Sequence, residues 1–119
     1  MTMQNKNQLR EEILEFAIEV SDICENIKGC SIYTNQIMRS SSSIGANVYE
    51  AKYAQSRVDF IHKFEIALKE CSETDYWLEF LYRKNKLDEN TYKRLINTCG
   101  IIRRKLIASI KTAKNNTEN

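Results

Sequence analysis

Apolar residues recur along this chain at the three-and-four spacing of a helix, in four separate runs. The first is Leu9, Ile13, Phe16, Ala17, Val20, Ile23, Cys24 and Ile27, with Glu11, Glu12, Glu15, Glu19, Asp22 and Glu25 on the rest of the cylinder. It predicts a helix over about residues 8–28. Gly29 can take the positive φ that ends a helix, and the early acids suit the positive end of the helix dipole. A second helix is predicted over about 34–54, capped by Thr34, with Tyr33, Ile37, Ile44, Val48 and Ala51 as its core stripe. The third, about 57–84, starts at the cap Ser56, and Asp59 is placed to return the capping interaction. Its core face is Phe60, Phe64, Ala67, Cys71, Leu78 and Tyr82, while Ile66, Glu70 and Trp77 share a second face. The fourth, about 89–114, is capped by Asp88 and carries Tyr92, Leu95, Ile96, Cys99, Ile102, Leu106, Ile110 and Ala113, with Arg103 intruding. Residues 1–7 and the tail from Thr112 are polar and expected to fray.

Four helices of similar length, joined by short connections and free of proline, predict one all-α domain over residues 1–119. The architecture expected is an antiparallel up-and-down four-helix bundle.

Beside the core stripe of the second helix runs another made of Arg39, Ser40, Ser43, Asn47 and Glu50. Hydrogen-bonding residues on a face turned toward the bundle point either to an internal polar network or to an interface. Arg39 is placed to pair with Glu70 or Glu73, and Asn47 to satisfy loose backbone groups. Ser40 to Ser43 and Gly45 are poor helix formers, so polar pairing or close backbone approach must offset their propensity.

Composition narrows the choice of chemistry. Hydrophobic residues make up 42% and charged residues 29%, a globular mix. No apolar run reaches the roughly 18 residues a spanning helix needs, so no membrane partner is expected and a cytoplasmic location follows. Cys24, Cys30, Cys71 and Cys99 lack the close spacing of metal knuckles and are expected to be small buried hydrophobes kept reduced. The single histidine, His62, leaves zinc sites and nucleophile-base pairs short of parts, and no elbow motif surrounds the serine run. The three glycines do not cluster into a phosphate loop. No cofactor, metal or catalytic residue is expected.

Charge is divided unevenly. Residues 1–82 hold 8 Lys/Arg and 13 Asp/Glu, a net of −5, and residues 83–119 hold 10 and 3, a net of +7. Lys93, Arg94, Arg104, Lys105 and Lys111 on the outer side of the last helix are therefore candidates for RNA or DNA phosphates, with Tyr49, Tyr53 and Trp77 as stacking groups. The same polarity would equally suit head-to-tail contact between copies.

The residues Arg39, Ser40, Ser43, Ile44, Asn47 and Glu50, within RSSSSIGANVYEA, resemble the signature of the four-helix-bundle proteins encoded in intervening sequences of bacterial 23S rRNA genes. Gln55-Ser56, Asp59-Phe60, Lys69-Glu70, Glu73-Thr74 and Tyr76-Trp77-Leu78 are similar to the third helix of one branch of that family. Ala51 stands where a glycine often follows the motif glutamate, and Cys71 where many members have glycine. The resemblance implies an antiparallel bundle that assembles into a ring, typically a homopentamer, without known enzymatic activity. It marks Arg39, Ser40, Ser43, Asn47, Glu50, Glu70, Glu73 and Trp77 as structural motif residues. A related branch, the accessory variability determinant of diversity-generating retroelements, implies a second expectation, a scaffold for a reverse transcriptase engaged through the Trp77 face or the ring surface.

Overall fold

In the computed structural model, which describes residues 3–116, the chain forms α1 (Met3–Glu25), α2 (Ser31–Ala51), α3 (Arg57–Arg83) and α4 (Glu89–Asn115). The connections 26–30, 52–56 and 84–88 are too short to let a helix run beside its predecessor in the same direction. Successive helices therefore reverse. Contacts across the seams show it: Arg39 meets Glu73 while Glu50 meets Lys63. Likewise Cys71 meets Cys99 while Tyr82 stacks on Tyr92, and Glu12 meets Lys105 while Glu19 meets Arg94. Each helix packs on two neighbours, and among the described residues the diagonal pairs make no close approach. The result is a rod of 52 × 23 × 20 Å, consistent with helices of 27 residues rising about 1.5 Å per residue.

The core follows the predicted stripes. Leu9, Ile13, Phe16 and Val20 of α1 meet Ile37, Ile44 and Val48 of α2, Phe64, Ala67 and Leu78 of α3, and Leu95, Ile102 and Leu106 of α4, all buried. Each large aliphatic or aromatic side chain so removed from water contributes about 1.5–3 kcal/mol. The stripe also holds residues that apolar periodicity passed over: Ser40, Ser41, Thr74 and Ser109 are buried, as are Leu81 and Gly100. Phe60 and Tyr82, expected in the core, are half-buried at its two ends.

Two caps stand as predicted. Ser56 Oγ accepts from the Asp59 N–H at 3.1 Å, and Asp88 Oδ1 accepts from the Thr91 N–H at 2.7 Å. Asp59 returns its interaction to the Gln55 N–H rather than to Ser56. That contact draws its carboxylate one residue further back than a capping box would.

Other boundaries differ. α2 starts at Ser31, not after Thr34: Cys30 is the N-cap without a side-chain bond, and the Tyr33 and Thr34 N–H groups donate to its carbonyl. The buried Cys30 fixes the entry, and Thr34 turns its hydroxyl back to the Ser31 carbonyl. α1 begins at Met3, so its acids lie beyond the first turn and gain little from the dipole. It ends at Glu25, short of Gly29, whose φ of +80° serves the following turn. α2 ends at Ala51 and α3 at Arg83, while α4 carries Thr112 to Asn115 into the helix that was expected to fray. Residues 3–7, expected to fray, are the first turns of α1, and the expectation for residues 1–2 and 117–119 lies outside the described residues.

Candidate functional site

The polar stripe of α2 is the best-organised polar feature of the molecule. Its residues reach α3 because the two helices pack more extensively on each other than any other pair. Arg39 forks between two carboxylates one turn apart, Nη1 donating to Glu70 Oε2 at 2.8 Å and Nη2 to Glu73 Oε2 at 2.5 Å. Trp77 Nε1 donates to the same Glu73 oxygen at 3.2 Å. The Arg39 guanidinium, and after it the Trp77 indole, hold the Glu73 carboxyl below the usual carboxylate range. Under this fork lies a buried hydroxyl pair: Thr74 Oγ1 sits 2.8 Å from Ser40 Oγ and 2.9 Å from the Glu70 carbonyl. Ser40 itself donates to the Ile37 carbonyl, and Asn47 Nδ2 donates to the Ser43 carbonyl at 2.8 Å. Glu50 reaches Lys63 at 2.9 Å. The stripe is thus an internal network at Ser40 and a half-exposed one at Arg39, whose side chain keeps 50% of its surface in water.

The serine run is spent on its own helix. Ser40, Ser41 and Ser42 donate to the Ile37 and Met38 carbonyls, which satisfies their hydroxyls without raising their low helix propensity, and Gly45 lets α1 approach until an added Cβ would stand 3.2 Å from Ile13 Cγ2. His62 is exposed on α3. All four cysteines are buried and free. Burial pushes the Cys24 thiol up to about 11, and the neighbouring Cys71 sulfur with burial pushes Cys99 up. Among the described residues no group of three or more His, Cys, Asp or Glu could hold a metal ion. No described helix is long and apolar enough to cross a membrane.

The basic residues of α4 do not act as one block. Arg94 pairs with Glu19 and Lys105 with Glu12 of α1, Lys93 pairs with Glu89 one turn back, and Arg103 pairs with Asp75 of α3. Arg104 and Lys111 have no ion-pair partner among the described residues. The charge asymmetry of the sequence is therefore partly an internal seam, acidic α1 against basic α4. The aromatics named as stacking groups are elsewhere. Tyr49 is exposed on α2 and Tyr53 just beyond it, next to the helix diagonal to α4. Trp77 is half-buried among Tyr33, Tyr76 and Phe80. Basic and aromatic candidates are not brought together.

One surface escaped sequence reasoning. Between α1 and α2 runs a groove walled by Leu14, Ile18 and Tyr49 over a floor of Ala17, Gly45 and Ala46. Leu14, Ile18 and Tyr49 keep 53%, 51% and 55% of their surface in water. Leu14 and Ile18 lie off the core stripe of α1 among its glutamates, a signal that the apolar periodicity contained.

Antiparallel helices closed by a polar fork on the α2–α3 seam define an up-and-down four-helix-bundle protein. The chain belongs to the 23S rRNA-intervening sequence protein family, whose model matches residues 5–108. It is similar to a solved structure described as a protein of unknown function from the S23 ribosomal protein family of Bacteroides thetaiotaomicron. The two are 40% identical, the match covers 89% of this chain and 97% of that one, and the TM-score is 0.84. No curated protein matches the chain.

Proposed function

We propose that the protein is a non-enzymatic assembly module, a bundle that associates with copies of itself into a ring and offers the assembled surface to a larger partner. The groove between α1 and α2 carries this reading. Three large apolar residues are clustered in water there beside small ones, and contiguous exposed apolar surface is where proteins associate. The family resemblance favours a ring of five. Native mass spectrometry of the purified protein tests the reading: a single closed oligomer is the expected result, and a monomer at all concentrations refutes it.

A second reading, RNA or DNA binding through α4, is favoured by Arg104 and Lys111, which the chain leaves without ion pairs among the described residues. Lys93, Arg94 and Lys105 would first have to leave their carboxylate partners, so binding should be weak for one copy and stronger for a ring that repeats the field. Gel-shift against structured RNA and duplex DNA at low salt tests it, and retention that does not fall as salt rises would speak against phosphate contact. An accessory role beside a reverse transcriptase would use the Trp77 face, where Tyr76 is exposed. Co-purification with an enzyme encoded by a neighbouring gene is the corresponding test.

A further inference from the structure

We infer that Cys71 and Cys99 form a redox-active dithiol, a modification site at which a peroxide closes a disulfide that staples α3 to α4. The two thiols face each other across the α3–α4 seam with their sulfurs 3.5 Å apart, and each sulfur also lies 3.5 Å from the other residue's backbone carbonyl. A disulfide holds its sulfurs about 2.05 Å apart, so closure asks them to approach by about 1.5 Å. The residues are 28 positions apart in sequence. Folding has already brought them together, so the bond forms between groups held as one reactant.

Burial alone argues the other way, because both side chains are wholly removed from water and a thiol buried in apolar surroundings is inert. The residues one helical turn on change that environment. Asp75 follows Cys71 and Arg103 follows Cys99 at i+4, on the same faces of α3 and α4, and the two join in an ion pair across the seam. Both also wall a cleft of about 380 Å³, open to solvent, together with Ser72, Tyr76, Glu79 and Ile96. Hydrogen peroxide is small enough to enter it and arrives one turn from the thiols along both helices. The Cys99 thiol that donates to it, against burial and Asp75 and with the help of the Arg103 guanidinium, holds the Cys71 thiol below its ordinary range. Cys99 is pushed up by Cys71 and by burial. Cys71 is therefore the nucleophile and Cys99 the thiol that resolves.

The Cys71 thiolate attacks one peroxide oxygen, the O–O bond breaks, and the leaving hydroxide takes up the proton that Cys71 released, giving water and a Cys71 sulfenic acid. The Cys99 sulfur then attacks the Cys71 sulfur, the S–O bond breaks, and the oxygen leaves with the Cys99 proton as a second water. Two thiols are oxidised to one disulfide and one peroxide is reduced to two waters. The new bond removes freedom from the unfolded chain, so the oxidised bundle is harder to unfold.

Hydrogen peroxide added to the folded natural chain, followed by alkylation and tryptic mapping without reductant, tests the site. Each cysteine falls on its own tryptic peptide. The expected product is a monomer lighter by two hydrogens with peptides 70–83 and 95–103 linked, and a urea midpoint that rises on oxidation and returns after dithiothreitol. Cys99→Ala, its fold verified by far-UV circular dichroism, should stop at a Cys71 sulfenic acid that dimedone traps. Cysteines 71 and 99 that stay reduced while Cys24 or Cys30 oxidises, a link between any other pair or between two chains, or a link that forms only in urea overturns the inference.

Discussion

The α2–α3 seam and the α1–α4 seam both join helices through charged residues, yet they hold in different ways. Across α2–α3 the polar groups are layered: a buried hydroxyl pair, Ser40 and Thr74, lies beneath a fork in which Arg39 serves two carboxylates and Trp77 a third bond. Across α1–α4 the ion pairs Glu12 with Lys105 and Glu19 with Arg94 sit at the rim, each with a third or more of its cationic side chain in water. Depth is the difference. A polar pair removed from water costs much to break and little to make, which selects one register, whereas a rim pair is screened and replaceable. The first seam thus fixes how the helices align, and the second mainly keeps the charges of α1 and α4 from repelling their neighbours.

The largest effect should come from the buried layer. Thr74→Val keeps the shape but removes the hydroxyl that bonds Ser40 Oγ, leaving Ser40 only its bond to the Ile37 carbonyl, and urea unfolding is expected to show a loss of about 1–3 kcal/mol. Adding Ser40→Ala should return part of that loss, because both partners are then gone; two purely additive losses would refute a coupled pair.

Next comes the fork. Arg39→Met should cost about 1 kcal/mol at neutral pH, since the guanidinium is half exposed. Its pH dependence has a definite sign. Arg39 lowers the folded pKa of Glu73, so the stabilisation is present above the ordinary glutamate range, near 4.3, and is lost as pH falls through the lowered folded value. Unfolding curves of the natural chain and Arg39→Met should converge as the pH is taken below that range, and a gap that stays constant would remove Glu73 from the account.

The smallest effect belongs to the rim. Glu12→Gln and Glu19→Gln should each cost no more than about 1 kcal/mol, and the cost should shrink in about 1 M salt, where charges more than about 3 Å apart are screened. A salt-independent loss as large as that of Thr74→Val would erase the distinction between the seams.

The fold was largely legible because four amphipathic runs carry their own punctuation. Ser56 and Asp88 announced helix starts that the backbone N–H groups of Asp59 and Thr91 then used. Thr34 misled because a hydroxyl near a helix start has two uses, and burial of Cys30 decided the start three residues earlier. Of the site, the Arg39 pairing with Glu70 and Glu73 could be read from residue types and helix spacing. What could not be read is which charges meet across the bundle. Glu12 and Lys105 are distant in sequence, and only the closing of α1 onto α4 turns a basic helix into a half-neutralised one. Leu14 and Ile18 went unnoticed because a lone exposed aliphatic is ordinary, and their significance appears once Tyr49 of the adjacent helix joins them.

Trp77 is the sole tryptophan of the chain, and its indole N–H is tied to Glu73, the carboxylate that Arg39 holds from the other side. Nature has in effect built a fluorophore into one joint of the rod. Its emission colour and quenching will follow the unzipping of α2 from α3 while circular dichroism follows the helices as a whole. A shift in the first signal before the second would reveal a partly opened bundle directly, without any label.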